Sequence, residues 1–491
     1  MSGKRSVLLF FMVLGILTAG AGTAYAALTF PHVDASLPWQ TEIAIINTGN
    51  QAITGTLRAL NSAGQTVETK TVTLPAHGRR QIDVATEFAN PTAIGYLVFE
   101  TDSAAVQGYT KLYQQGRYRA ATPAATEANA GSIYITHIDS SAQWWTGVTL
   151  LNTTAVTKEL TITFNNGATR TYSLKANERW TFRIGDLLGN PIQPGVESAV
   201  ISNAGGVVGV ELFGSVGFGT QMEGILLTDK TNTTIYYPHV DNNGWWTGIV
   251  AYNPSDLACT ITITPYSAAG AVLPAKTLTI AGKSKYVGAV AALDLPAEMA
   301  WFKIDSTGPI TGFELFGTSD GQQLAAYAEK SGTGSKAGVF AKIEKAGWTG
   351  IAFVNMEAAA ASVTLTAYRD DGTVVATQAL PVGGYAKVVN NPEKIFTQDI
   401  GSATYIAYTS DRNIIGFQLN ASADGTMLDA LPGLPAAASG EPTCALDVTA
   451  WAPKDMKECK VPRIWATIKS SCGTAIGTCM CLRHRCVGIA S

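Results

Sequence analysis

The sequence predicts an all-β protein built from four tandem β-sandwich repeats and a small C-terminal disulfide-rich module. Three observations predict it. One motif recurs four times at a period of about 100 residues, short alternating segments fill each copy, and six of the seven cysteines cluster near the C-terminal end. A unit of about 100 residues is large enough to form its own core, so each copy is predicted to be a domain rather than one turn of a solenoid.

The recurring motif has a basic residue and an acidic residue two positions apart, a tryptophan and an asparagine in fixed order. Its four copies are His32, Asp34, Trp39 and Asn47; His137, Asp139, Trp145 and Asn152; His239, Asp241, Trp246 and Asn253; and Lys342, Glu344, Trp348 and Asn355. The asparagines lie 105, 101 and 102 residues apart. A glycine marker keeps the same period at Gly108, Gly209, Gly312 and Gly416. Two markers with one period make the repeat secure.

Each copy contains short strand-like segments separated by turn residues. In the second copy, residues 147–152, 160–164 and 170–174 read as successive strands, and Gly167 closes the turn between the last two. A glycine at this turn supplies the positive φ that a tight hairpin needs. The same glycine recurs as Gly64, Gly270 and Gly372. About seven short strands per copy indicate a β-sandwich of immunoglobulin-like type, with brief helical turns near 85–88 and 185–188.

The pattern resembles the tandem immunoglobulin-like repeats of uncharacterised exported bacterial proteins. The resemblance is carried by the His-x-Asp opening, the Trp-Thr-Gly that follows it, and segments such as Leu74-Pro75-Ala76-His77-Gly78. It covers roughly residues 28 to 432. It implies a β-sandwich fold, export, and a scaffold or adhesion role, and it transfers no catalytic residue.

The repeat and the composition divide the chain into seven parts. Lys4 and Arg5, an apolar run and Ala24-Tyr25-Ala26 read as a secretory signal with its cleavage site. The predicted parts are a signal peptide at 1–26, repeats 1 to 4 at 27–128, 129–230, 231–334 and 335–432, a linker at 433–443 and a cysteine-rich module at 444–491. The protein is therefore expected to be secreted, whether periplasmic, cell-surface or extracellular, without a membrane span after signal cleavage.

The chain has few charged residues, and their signs nearly balance, which restricts the kinds of partner that it can attract electrostatically. Lysine and arginine number 34 against 37 aspartate and glutamate, and charged residues make up 14% of the chain. Such a chain carries no electrostatic footprint for nucleic acid. A protein or glycan partner at the cell surface stays open, and no cofactor is predicted.

The dyads His32/Asp34, His137/Asp139 and His239/Asp241 invite a metal-site interpretation, because two residues two apart on a strand point to one face. The fourth copy argues against it. There the pair is Lys342 and Glu344, which keeps the charge signs but loses the metal-binding chemistry. A structural ion pair or hydrogen bond at the start of each repeat is the favoured interpretation, and no metal is predicted.

The tryptophans divide into a repeated and an unrepeated set. Trp39, Trp145, Trp246 and Trp348 occupy one position in every copy and are expected to be core or domain-junction anchors. Trp144 and Trp245 precede that position in two copies only. Neighbouring residues on a strand point to opposite faces, so these two side chains are either exposed platforms for a sugar or protein partner, or partly covered residues between successive repeats.

The recurring asparagine and glycine have simpler structural roles. The asparagine after the first strand of each motif is expected to bond the backbone of its own turn. The marker glycine is expected where two backbones approach closely or a bulge forms.

The sequence contains no enzyme motif in the structural context that its chemistry needs, so no catalytic residue is predicted. Gly317-Thr318-Ser319-Asp320-Gly321 fits the spelling of a nucleophile elbow, but that motif requires a strand-to-helix turn in an α/β sheet. Here it follows a predicted strand of an all-β repeat, and His484 is the only histidine downstream.

The tail differs from the repeats in composition. It contains Cys444, Cys459, Cys472, Cys479, Cys481 and Cys486, which in an exported protein predict three disulfides of undetermined pairing. Zinc held by the last four of these cysteines is the rival interpretation. Seven basic residues against three acidic ones make the tail cationic, and Arg483, His484 and Arg485 cluster between the last two cysteines. They either bind an acidic partner or merely solubilise the module.

These observations predict an exported, non-enzymatic modular scaffold or adhesion protein of the cell envelope or extracellular space, with its repeats in a rod or arc and the cysteine-rich module as its binding end. The alternatives are a carbohydrate-binding protein that uses Trp144 and Trp245, and a secreted enzyme with an unrecognised site.

Overall fold

A computed structural model describes residues 26–217, 219–241, 244–328 and 332–436, together with the backbone of three strands in the tail. The described chain is nearly all β-structure in antiparallel sheets, which confirms the predicted fold class. No helix in these ranges is long and apolar enough to cross a bilayer.

The strands of the first two repeats are evenly spaced and short. Those of repeat 1 are β1 (Ala26–Phe30), β2 (Gln40–Asn47), β3 (Ile53–Leu60), β4 (Thr66–Leu74), β5 (Arg79–Asp83), β6 (Tyr96–Thr101), β7 (Val106–Gln114) and β8 (Tyr118–Pro123). Those of repeat 2 are β9 (Ile133–Ile135), β10 (Trp144–Asn152), β11 (Lys158–Phe164), β12 (Thr169–Leu174), β13 (Arg179–Arg183), β14 (Ala199–Ser202), β15 (Val207–Ser215) and β16 (Met222–Leu227).

Repeats 3 and 4 each contain one strand long enough to enter both of their sheets. Repeat 3 contains β17 (Asn232–Tyr237), β18 (Trp246–Asn253), β19 (Cys259–Ser267), β20 (Lys276–Ile280), β21 (Ser284–Ala289), β22 (Met299–Gly317) and β23 (Leu324–Tyr327). Repeat 4 contains β24 (Ser335–Phe340), β25 (Gly347–Asn355), β26 (Ala361–Tyr368), β27 (Val374–Val382), β28 (Lys387–Asn390), β29 (Tyr405–Ser422), β30 (Leu428–Pro432) and β31 (Leu434–Pro435).

Two antiparallel sheets form each repeat. In repeat 1, sheet I has the order β1-β6-β3-β4 and sheet II the order β5-β2-β7-β8. Repeat 2 has the same arrangement, with β9-β14-β11-β12 and β13-β10-β15-β16. In repeats 3 and 4 the long strands β22 and β29 pair in sheet I with their first halves and in sheet II with their second halves.

A separate aliphatic and aromatic core fills the space between sheets I and II of each repeat. Leu28, Ile43, Leu57 and Phe99 are fully buried in repeat 1, and three clusters of the same kind lie in the other repeats. Alternation along the strands produces this core, because every second side chain points inward. Cys259 is a buried free thiol within it, as its alignment with Ile53 and Ala361 predicts.

The local turn predictions are confirmed. The hairpin glycines Gly64, Gly167, Gly270 and Gly372 have φ values of 80°, 85°, 89° and 80°. The expected helical turns are the short helices α1 (Val84–Glu87) and α2 (Ile184–Leu188), and a third, α3 (Pro392–Ile395), lies at a similar place in repeat 4. Two 3-10 turns, Pro91–Ala93 and Val290–Leu293, complete the described helical structure.

The repeated asparagine and glycine act through the backbone, as predicted. Asn47 donates from its side-chain nitrogen to the carbonyl of Gln51 at 2.7 Å and accepts from the N–H of Gly49 at 3.0 Å. The same two bonds recur at Asn152, Asn253 and Asn355. A Cβ atom at Gly108 would lie 2.5 Å from the carbonyl oxygen of Ala44, so the marker glycine is required by close approach of two strands.

The repeats form a closed ring, not the predicted rod or arc. Sheet II of each repeat packs against sheet I of the preceding repeat, and sheet II of repeat 1 packs against sheet I of repeat 4. Shared hydrophobic clusters span three of these seams and include Leu60 and Leu151, Trp301 and Val354, and Tyr405 and Tyr109. At the seam between repeats 2 and 3, the rings of Tyr134 and Tyr252 contact each other. The fourth seam uses the same two sheet types as the other three, so the ring has an approximate fourfold axis.

The last strand of each sheet II lies at this axis. Strand β8 contacts β16 and β30, and β23 also contacts β16 and β30, which closes a circle of four strands. These axial strands come from all four repeats. The interior of the ring is therefore made of edge strands, whose unpaired backbone groups need partners.

The tail is described only as backbone. Strands β32 (Ile464–Ser470), β33 (Gly473–Leu482) and β34 (Arg485–Ile489) form an antiparallel sheet. The disulfide or zinc interpretations, the predicted binding side chains of the tail and the signal peptide lie outside the described residues. The disulfides or zinc, the binding residues of the tail and the signal peptide therefore remain predictions from the sequence.

Candidate functional site

The seams contain the tryptophans that the sequence singles out. Three clusters hold them, one at each seam between consecutive repeats. At seam 1–2, Trp39 and Trp145 belong to a cluster with Leu112, Tyr118 and Met222. At seam 2–3, Trp144 and Trp246 belong to a cluster with Phe213, Val250 and Phe313. At seam 3–4, Trp245 and Trp348 belong to a cluster with Phe316, Phe417 and Leu428. Each cluster joins residues of two successive repeats, which places all six tryptophans at repeat junctions.

Trp144 and Trp245 are half-buried there. The ring of Trp245 lies 6.1 Å from the ring of Trp348, centre to centre, at an interplanar angle of 46°. Both side chains belong to apolar clusters that bridge repeats. Contact with a neighbouring repeat is thus the environment that the structure gives these two residues.

The threonine of the Trp-Thr-Gly segment fixes the start of each repeat. Thr146 accepts from the backbone N–H of Asp139 and donates to its carbonyl, both at 3.0 Å. The equivalent pairs, Thr41 with Asp34 and Thr247 with Asp241, make the same two bonds, and in the fourth copy the N–H of Glu344 donates to Thr349. The motif's acidic residue is therefore held through its backbone in every copy.

The histidines of the motif reach across the seams. His32 Nδ1 lies 2.7 Å from Thr149 Oγ1 of repeat 2, and His137 Nδ1 lies 2.9 Å from Lys285 Nζ of repeat 3. His239 bonds Lys387 of repeat 4 in the same way. Burial and, to a smaller extent, the charge of Lys285 lower the pKa of His137 to about 3, so this ring is neutral and accepts a hydrogen bond from the ammonium group.

Each repeat has a basic residue near the start of the edge strand of sheet II, and this residue lies at the seam with the preceding repeat. These residues are Arg79, Arg179, Lys285 and Lys387. Three of them donate their backbone N–H to a hairpin of the preceding repeat: Arg79 to Asp370, Arg179 to Ser62 and Lys387 to Ala268. These four cations were not predicted as a set from the sequence, although they occupy one position of the repeat in the aligned copies.

A polar residue lies two positions after each marker glycine, and in repeats 2 and 3 it is a glutamate that interacts with one of these cations, Lys285 or Lys387. The four residues are Thr110, Glu211, Glu314 and Gln418. Glu211 and Glu314 are 0% exposed, and neither carboxylate accepts a hydrogen bond. Burial raises the pKa of Glu211 to about 8 against the opposing effect of Lys285, while burial lowers the pKa of Lys285 to about 8.

Glu211 gives the ring a pH dependence that can be tested. Its folded pKa lies above the ordinary value of 4.5, so unfolding releases its proton and stability falls as pH rises from about 5 to 8. We expect Glu211→Gln to reduce this slope and to exceed the wild type in stability at pH 8, by up to about 1.4 kcal/mol per unit of pKa shift removed. Repeat 4 already has Gln418 at this position. Urea unfolding at pH 5, 6, 7 and 8 measures the slope.

The matched control for this experiment is Glu298→Gln, which removes an exposed carboxylate of repeat 3. It should leave the slope unchanged. An unaltered slope in Glu211→Gln would mean that Glu211 does not carry the pH dependence.

Seam 4–1 differs from the others because a buried network of charges holds it. Lys342 Nζ lies 2.8 Å from Glu42 of repeat 1 and 3.6 Å from Glu344. Glu344 also pairs with Lys111 at 3.0 Å and with Arg119. Arg119 in turn pairs with Asp429. Lys342 and Glu344 are the pair that the fourth copy of the motif carries in place of His and Asp, and the structure connects this pair to repeat 1.

The electrostatics of this network follow from its geometry. Burial works against the charge on Lys342, but Tyr109, Glu42 and Glu344 raise the pKa of its ammonium group above the ordinary value. Burial likewise opposes ionisation of Glu344, yet Lys342, Lys111 and Arg119 hold its pKa well below the usual range. These groups are therefore ionised at neutral pH, and each depends on the others for its charge to be tolerated.

Glu223 satisfies the unpaired backbone at the axis. Its carboxylate accepts from the N–H of Ala121 in repeat 1 at 2.8 Å, of Gly224 at 2.9 Å and of Ala430 in repeat 4 at 2.9 Å. Burial, with Asp429 nearby, raises its pKa well above the ordinary value, and the three N–H donors oppose that rise. One side chain thereby joins three of the four axial strands.

Turns of repeats 2, 3 and 4 close one end of the axis. The Thr220 hydroxyl donates to the carbonyl of Gln322, and the Gln221 amide nitrogen donates to the carbonyls of Thr318 and Gln323. Gln323 donates to Gly425. The string 317–321 that spells a nucleophile elbow lies in this plug, at the end of a β-strand and without a helix after it.

The other end of the axis opens into a cavity of about 410 Å³. All four repeats contribute to its wall, as do the segments that connect repeats 1 and 2 and repeats 2 and 3, and the chain that leaves repeat 4. Among the described residues, no three His, Cys, Asp or Glu side chains are grouped so as to hold a metal ion.

Comparison with known proteins assigns no family. No family model matches the chain, and no curated protein matches it. Seven chains of solved structures match. One belongs to a structure described as "Structural insight into host cell surface retention of a 1.5-MDa bacterial ice-binding adhesin"; it shares 11% identity over 67% of this chain and 90% of its own length, with a TM-score of 0.11. That score carries no inference about this chain. The fold and seams define the class: a closed ring of four β-sandwich repeats.

Proposed function

We propose that the protein is an exported, non-enzymatic scaffold whose ring presents the C-terminal cysteine-rich module to a partner at the cell envelope or outside the cell. The observation that supports this most is the closure of the ring. Each repeat is packed on both sides, and the fourth seam is held by buried ion pairs. Packing on both sides restricts the movement of each repeat against its neighbours, which suits a rigid platform.

The distribution of charge supports a binding role for the tail. Residues 444–491 contain seven of the chain's 34 basic residues but three of its 37 acidic ones. The tail is thus cationic and the ring acidic. An acidic partner would be attracted to the tail and repelled by the ring, so the module would be the contact point.

Carbohydrate binding through Trp144 and Trp245 has less support. Stacking on a sugar requires an open ring face. Both side chains are half-buried in clusters that join repeats, and Trp245 already contacts Trp348. Their packing explains their presence without a glycan.

The test uses the full secreted chain on an immobilised acidic polysaccharide such as alginate, with neutral dextran as reference. We expect binding that weakens with added salt and that drops several-fold in Arg483→Ala/Arg485→Ala, because two cations of the proposed contact are removed. The matched control is Lys175→Ala/Lys394→Ala, which removes two exposed cations of the ring. Equal binding by wild type and the tail variant would refute the role given to the tail.

A further inference from the structure

The cavity at the open end of the axis has an aliphatic floor. Ala125, Val208, Leu226, Ile415 and Leu434 line it, and each of these side chains is at most 7% exposed. They come from repeats 1, 2 and 4 and from the strand after repeat 4. A floor of this kind favours hydrocarbon and penalises a charged group, since burial of an unpaired charge is costly.

The rim is polar, and the two charges on its described residues cancel. Glu127 and Lys230 face each other at 3.4 Å across the two connecting segments. Thr126, Thr228 and Ser335 add hydroxyl groups to the lining. The described part of the rim can therefore hydrogen-bond an uncharged polar group and carries no net charge.

Hydrogen bonds hold the walls in place without a ligand. The Asn129 side chain donates to the carbonyl of Val207 and accepts from the N–H of Asp229, both within 2.9 Å. The Asp229 carboxylate accepts from the N–H groups of Ala130 and Gly131. Gln107 donates to the carbonyl of Pro435. The connecting segments are thus anchored to the repeats, and the cavity is preformed, as small-molecule sites generally are.

The two ends of the axis differ, since one is filled with side chains and turns and the other is open. Repetition of one domain four times does not by itself produce this difference. One end is filled by turns that bond one another, and the middle is filled by Glu223, Arg119 and Asp429. At the open end, small residues such as Ala124, Ala128 and Gly433 stand where larger ones would fill the space. The volume of about 410 Å³ falls within the range of small-molecule sites.

We propose that this cavity binds a neutral aliphatic molecule with an uncharged polar head, such as a medium-chain alcohol or its monoester. The chain of the ligand lies on the aliphatic floor, and the head reaches the hydroxyl groups of the rim. Among the described residues, the lining supplies one aromatic ring, Tyr408, which is 4% exposed, so these residues offer a sugar no open stacking face. The proposal is independent of the role given to the tail.

Titration calorimetry of the full chain with 1-decanol, decanoate and decylammonium tests the proposal. We expect saturable binding of 1-decanol at one site and at least about tenfold weaker binding of both charged analogues, because each must bury a charge. Ala128→Trp, which fills the cavity from its wall, should weaken 1-decanol binding by at least about tenfold. Ala130→Trp, on the same connecting segment but exposed and outside the lining, should not.

Three outcomes would overturn the proposal. The first is no saturable binding of 1-decanol, and the second is undiminished binding by an Ala128→Trp variant whose melting curve matches that of the wild type. The third concerns the chain's own tail, which starts beside Pro435 at the cavity. A protease site placed within 437–443 allows the tail to be released from the folded protein, and binding that appears only after cleavage would show that the tail occupies the cavity instead.

Discussion

Replacing Lys342 by methionine is expected to destabilise the protein by about 3–5 kcal/mol, because it leaves Glu42 and Glu344 buried without the cation between them. Lys342 is 6% exposed, and Glu42 is 8% exposed. The loss falls on seam 4–1, so the ring should open there before the individual repeats unfold. Urea unfolding measures the free energy, and small-angle X-ray scattering in moderate urea measures the opening as an increase in the radius of gyration.

Two variants make this prediction specific. Lys345→Met removes an exposed lysine three residues away, whose Nζ donates to the carbonyl of Gly401, and should cost less than about 1 kcal/mol. Glu42→Gln/Lys342→Met removes both charges of the closest pair and should recover part of the loss, because one uncompensated carboxylate is gone. If Lys342→Met costs no more than Lys345→Met, the charge network does not hold the ring closed.

Glu223→Leu is expected to cost at least about 3 kcal/mol, because three buried N–H groups lose their acceptor at about 1–3 kcal/mol each. Leucine is close to glutamate in size, so the loss reflects the hydrogen bonds more than packing. Glu223→Gln keeps one acceptor oxygen and should lie between wild type and the leucine variant. Urea unfolding gives the order of the three proteins.

Hydrogen exchange locates the effect of that substitution. The amides of Ala121 and Ala430 belong to different repeats, and both bond Glu223, so both should exchange faster in the leucine variant. Glu159→Leu, which replaces an exposed carboxylate, should change neither stability nor exchange at these two sites. Unchanged protection of Ala121 and Ala430 in Glu223→Leu would contradict the role of Glu223 as the link between axial strands.

Features that depend on neighbouring residues could be predicted from the sequence. The hairpin glycine, the asparagine that caps its own turn and the short helices α1 and α2 require contacts over a few residues only. The marker glycine was predictable from its period, because every copy keeps it. Comparison of the copies also favoured a structural role for the histidine dyad, although it did not reveal that the histidines contact the next repeat.

The contacts at the seams could not be predicted from the sequence and were identified only in the folded structure. Lys342 and Glu42 are 300 residues apart in the chain, and nothing local in either segment indicates the other. The cations Arg79, Arg179, Lys285 and Lys387 were visible as a recurring position, but a solvent-exposed role fits the same pattern. Trp144 and Trp245 read equally well as binding platforms or seam residues, and their packing favours the seam.

The four β-sandwich repeats could be predicted from the sequence, because the chain contains both the alternation of two residues and the period of about 100 residues. The closed ring, the charge network at one seam and the open cavity at the axis became visible in the folded protein. Alternation along a strand specifies which of its faces is buried but not what covers that face. The partner of each sheet II comes from another repeat, and for repeat 1 that repeat is the last in the chain.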